Sequence, residues 1–136
     1  MRPMLCVLLV MATTACGPRE LRITMNSDNN SGQTGFAVLV DRGNKGMTVT
    51  VETSAPDFNE KPQNAHIHEG DCGEVGMIRA TLTPLDKLPA SPDRYASTTE
   101  VGGVNFAMLS NGQWIINVHD ARDNGIYVSC GEIPNP

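Results

Sequence analysis

The amino-acid sequence predicts an all-β domain, an antiparallel Greek-key β-sandwich or flattened barrel of about eight short strands. Three observations carry that expectation. Apolar and polar residues alternate with a period of two, clearest where Met47, Val49 and Val51 interleave with Thr48, Thr50 and Glu52. Segments rich in Gly, Pro and Asn separate such stretches at the spacing of a sandwich or barrel. No helical period of useful length occurs. At 136 residues with 40% hydrophobic content, the chain has room for one core.

Taken in order, the elements begin after a leader. "MRPMLCVLLVMATTACG" has one positive charge, an apolar run from Met4 to Ala12 and small residues before Cys16, the layout of a secretory signal peptide. The run is too short to span a bilayer. Its end at Ala15, Cys16 and Gly17 resembles a bacterial lipoprotein signal, in which Cys16 is lipidated, although Thr13 stands where that signal usually has an aliphatic residue. The expected location is therefore exported, periplasmic or at the cell envelope, with membrane contact through a lipid anchor only. Residues 17–34 read as a linker or edge strand, because the only apolar stretch runs from Leu21 to Met25 before a Ser/Asn/Asp/Gly cluster. Residues 35–136 form the β domain. "FAVLV" and "MTVTVET" make a hairpin across "DRGNKG", and further strands follow at "NAHIHE", "MIRATLTPL", "ASTTEV", "NFAML", "QWIINVH" and "IYVSCGEI". In "MIRATLTPL", the fourth of these eight, alternation sends Ile78, Ala80 and Leu82 inward. Met47, Met77 and Met108 are expected to pack in the core, and Trp114 to anchor it.

Composition narrows the function. A formal charge of −5 with only ten Lys and Arg, scattered along the chain, excludes a phosphate-reading surface and so a nucleic-acid partner. No Ser/His/Asp arrangement, phosphate loop or paired-carboxylate motif supports a hydrolase. Of four cysteines, Cys6 lies in the leader and Cys16 would carry lipid. Cys72 and Cys130 then remain as a lone pair in an oxidising compartment, where a bridge is the expected state. Free thiols or metal thiolates are the competing readings.

The chain has three histidines, and strand geometry places them. In "AHIHEGDCG" the period of two sends His66 and His68 to one face while Ile67 joins the core. In "QWIINVHD", Trp114, Ile116 and Val118 share one face, and Ile115, Asn117 and His119 the other. Convergence of those strands would gather three imidazoles, a ligand set suited to copper or zinc. Asp120 follows a candidate ligand and could hold an imidazole N–H. Glu69, Asp71 or Asp120 could complete a metal's shell, although Asp71, in a Gly-containing turn, is better suited to bonding backbone amides.

"HIHEGDCG" followed by "NVHD" and "VSCGEI" resembles the Cu/Zn superoxide dismutase superfamily, and also CHRD-type domains, which carry similar signatures. The resemblance covers residues 34–133 and implies a superoxide dismutase-like fold. It implies that His66 and His68 are the first two copper ligands, His119 the last, and Cys72 and Cys130 the disulfide that pins the loop beside the metal. The departures are as informative. No zinc loop follows Cys72, which argues against zinc, and three histidines leave none to bridge two metals. Where the family has an arginine that draws in superoxide, this chain has Tyr127; Arg79 or Arg122 could substitute only through space. The leading expectation is an exported copper-binding, superoxide dismutase-like domain with a three-histidine, copper-only site and weak or absent dismutase activity. The alternatives are a true copper-only dismutase acting on superoxide, and a non-enzymatic CHRD-like binding module of the cell envelope.

Overall fold

The computed structural model describes residues 17–54 and 61–136, so the expected leader and Cys16 lie outside the described residues. Nine strands form one antiparallel sheet that folds on itself into a half-barrel. They are β1 (Glu20–Ser27), β2 (Gly35–Asp41), β3 (Met47–Ser54), β4 (Ala65–Gly70), β5 (Val75–Thr81), β6 (Asp86–Leu88), β7 (Ser91–Val101), β8 (Trp114–His119) and β9 (Tyr127–Ile133). The order across the sheet is β5, β4, β8, β9, β1, β2, β3, β7, β6. The chain crosses between the two halves at β3 to β4, β5 to β6 and β7 to β8, the long connections that a Greek key requires.

The first strand is not an edge or a tether. Leu21, Ile23 and Met25 alternate through a polar-looking stretch, and Ile23 and Met25 are fully buried. Burying that stripe forces pairing on both sides: residues 20–25 pair with β2, and Asn26 and Ser27 pair with β9. The sheet bends there, and Gly131 permits the close approach. A Cβ at that position would stand 2.7 Å from the Thr24 carbonyl oxygen and 2.8 Å from Met25 Sδ, so any side chain would push β1 off β9.

The expected β2–β3 hairpin forms, with Val38 opposite Thr50. A 3₁₀ turn at Gly43–Lys45 closes it. Gly46 sits at φ +90° against the Val101 carbonyl, where any other residue would be both strained and obstructed.

Three expectations fail for identifiable reasons. "NFAML" is a short helix, α1 (Phe106–Leu109), because the Asn105 side chain accepts a hydrogen bond from the Met108 N–H and caps its first turn. Ile78 is exposed rather than inward. A register shift between Ile67 and His68 leaves Ile67 opposite Ala80 but His68 opposite Ile78, and the extra residue transfers Ile78 to the other face. Met47 is buried as expected, but Met77 and Met108 are exposed, the first on the edge strand β5 and the second on α1.

The core lies between the two halves. Ile23 and Met25 of β1, Leu39 of β2, Val49 of β3, Ile67 of β4 and Ile116 of β8 pack within it, each fully buried side chain contributing roughly 1.5–3 kcal/mol. Trp114 anchors one end as expected. Gln63 and Leu85 exchange both backbone hydrogen bonds at 2.9 and 2.8 Å, which ties the chain before β4 to the segment entering β6.

Candidate metal centre

Strands β4 and β8 are buried on both faces. Their inward residues, Ala65, Ile67, Trp114, Ile116 and Val118, belong to the main core. Their outward residues form a second layer. Across β4, β8 and β9 the register aligns His66 with Asn117 and Cys130, and His68 with Ile115 and Glu132. Cys72, in the turn after β4, bridges to Cys130 with Cα atoms 6.0 Å apart. Since β8 lies between β4 and β9, the bridge carries that loop back over β8, and Ile115 and Asn117 are completely buried beneath it. Asp71 bonds the Gly73 and Glu74 amides at 2.8 and 2.7 Å, the turn role its sequence context indicates.

The three histidines converge in this layer. All are buried, and one nitrogen from each lies within 4.8 Å of the others. His66 Nδ1 is 2.8 Å from His119 Nε2. The remaining nitrogens of two rings are fixed by backbone: His68 Nδ1 donates to the Gly76 carbonyl at 2.9 Å, and His119 Nδ1 to the Asn124 carbonyl at 2.6 Å. Those bonds place the lone pairs of His68 and His119 on Nε2, facing the cluster. With His119 Nε2 an acceptor, His66 Nδ1 carries the proton between them. Beneath His119, the buried amides of Gln33 and Gln63 bond each other at 2.6 and 3.0 Å, and Gln63 Nε2 reaches the His119 carbonyl at 3.2 Å. The strand end is thereby held from below.

Electrostatics favour the neutral form of two of the rings, His66 and His119. Burial pushes His66 below its ordinary value of 6.5, and repulsion from His119 and His68 adds to it. Burial also lowers His119, opposed by the Asn124 carbonyl and assisted by His68. Neutral rings are the form that binds metal.

The donor set fits a metal ion. Three nitrogens each about 2.0–2.1 Å from one ion stand roughly 3.3–3.6 Å apart, a value bracketed by the 2.8 Å contact and the 4.8 Å limit. His68 Nε2 is buried with no hydrogen-bond partner among the described residues. A lone pair in that state is stabilised by coordination.

The acids do not join the cluster. Asp120 does not hold an imidazole: its carboxylate takes two hydrogen bonds from the Arg122 guanidinium at 3.0 and 2.6 Å, which hold it down to about 2. Glu69 pairs with Arg79 at 2.5 Å, and Asp71 is committed to its turn. Arg79 and Arg122 are therefore each bound to an acid beside the centre. Tyr127 lies against it instead, its ring centroid 4.9 Å from that of His119 and 6.3 Å from that of His68.

Sequence reasoning missed Asn117, Gly76 and Asn124 as parts of the site. The alternation in "QWIINVH" did place Asn117 on the face of His119. The two carbonyls have no side-chain signature, because any residue supplies one.

Comparison with curated proteins gives no match to the chain, and comparison with solved structures gives none. The model of one family does match, supporting the CHRD half of the resemblance noted above and leaving the dismutase half untouched. That model, described as the CHRD domain, covers residues 16–128, most of the strands and all three histidines, and the chain belongs to the CHRD domain family.

Proposed function

We propose that this CHRD domain binds one copper ion through one imidazole nitrogen each of His66, His68 and His119, the ion displacing the proton that His66 Nδ1 shares with His119 Nε2, and acts in copper holding or redox protection at the cell envelope. The convergence of those three nitrogens, with two rings locked from behind by backbone carbonyls, carries the reading. Copper is preferred over zinc for nitrogen donors by the general order of divalent affinities, and three imidazoles without a carboxylate also suit Cu(I). When bound, copper supplies one-electron redox capacity. The protein's own residues hold the ligands, exclude water beneath the bridged loop, and favour the neutral form of His66 and His119. Rapid steering of superoxide needs uncompensated positive charge at the entrance. Arg79 and Arg122 are each neutralised by an acid, and this supports weak or absent dismutase turnover. Export, with Cys16 as lipid attachment point, is part of the proposal and accords with the disulfide.

A second reading has its own observation. His66 and His119 satisfy each other at 2.8 Å, so the pair can serve as a structural hydrogen bond in a domain that binds an envelope component and no metal. Titration with Cu(I) and Cu(II) separates the two, with a His66→Ala, His68→Ala double variant as control. Tight 1:1 binding that the variant loses supports the copper reading. Equal, weak binding by both proteins sinks it. Superoxide turnover on the loaded sample then distinguishes a dismutase from a copper holder.

A further inference from the structure

We propose that Asn117 is a positioning residue of this centre, its carboxamide holding a water or small anion seated against the three imidazole nitrogens. The inference rests on the metal reading above and concerns the position that three imidazoles leave open. Asn117 is 0% exposed, yet neither Oδ1 nor Nδ2 has a hydrogen-bond partner among the described residues. A buried amide left so is disfavoured, and a leucine of similar shape would fill the space without that penalty. The location is informative. Asn117 stands directly opposite His66 in the β4–β8 register, where facing Cβ atoms are about 5 Å apart. It also precedes His119 by two residues on the same face of β8, apart from the local irregularity at that strand's end. Among the described residues the other unpartnered buried side-chain atoms are Ser97 Oγ and His68 Nε2, and the latter lies in the same layer. One small molecule with lone pairs and a proton completes the set: it accepts from Asn117 Nδ2, or donates to Oδ1, while a lone pair faces the ion that the imidazoles hold.

The test compares the wild-type protein with Asn117→Leu, both loaded with Cu(II), by electron paramagnetic resonance and by azide titration. Asn117→Leu is expected to melt no lower than wild type without metal and to retain coupling from three nitrogens. Its azide dissociation constant should rise about ten-fold or more, the weight of one hydrogen bond to an anion, and its copper signal should shift. Asn117→Ala, read in the same way, serves if the leucine variant does not fold. An unchanged signal and unchanged azide affinity in a folded variant would overturn the proposal and make Asn117 a packing residue. Failure of the metal reading is distinguishable, because wild type itself would then show no nitrogen-coupled copper signal, and the proposal would fall with it.

Discussion

The two halves of the half-barrel share one core but treat their outer faces differently. On β3 the burial alternates strictly, and its outward residues meet partners in solvent: Thr48 bonds Glu100, Thr50 bonds Thr98, and Glu52 pairs with Arg94. On β4 and β8 the outward residues His66, His68, Ile115, Asn117 and His119 are all buried, although three are histidines and one is asparagine. Solvated polar residues need no special partner, whereas buried ones do. The unpartnered groups of β4 and β8, His68 Nε2 and the Asn117 amide, are the ones the proposed copper centre would use, and the paired groups of β3 mark plain surface.

The comparison breaks most severely at the disulfide. A Cys72→Ser, Cys130→Ser variant opens a loop with sequence separation 58 and should lose about 4 kcal/mol in denaturant unfolding on the chain-entropy model. The same variant should weaken copper binding, since the loop over β8 is released. Next, Ile67→Ala removes a fully buried side chain under the histidines and should cost about 2–5 kcal/mol; a loss below about 1 kcal/mol would mean that the core beneath the histidines is not tightly packed. Acid sharpens the contrast. His66 and His119 titrate below their ordinary 6.5 in the fold, so the unfolded chain binds protons first as pH falls. Stability of the metal-free protein should then decline as pH drops through about 6.5 and level off below the folded values. A flat profile from pH 7 to 5 would contradict the burial of those rings. The smallest effect belongs to the plain face: Thr50→Ala removes one exposed cross-strand pair and should change stability by roughly 0.2–1 kcal/mol, with no effect on copper.

Period-two alternation made most of the fold legible, and it put His66 and His68 on one face and His119 within reach. It could not show that β1 pairs on both sides, because three apolar residues in a polar stretch give little signal. Nor could it show the bulge beside His68 that turns Ile78 outward, since bulges follow from strand pairing. The short helix at residue 106 was concealed by an apolar run whose deciding feature is the Asn105 cap. Within the site the ligand candidates were readable as residue types, but the groups that orient them are carbonyls, visible only once the chain is folded.

The dual pairing of β1 has a consequence for how this molecule is made. β1 is made well before one of its partners, β9, whose Cys130 pairs with Asn26. The sheet cannot close until β9 has been synthesised. Every ordered contact between β1 and β9 waits for all the strands between them, and such distant pairings slow folding and leave strand edges open meanwhile. Truncation before Tyr127 would remove the whole of β9, leaving β8 and the corner of β1 without their shared neighbour.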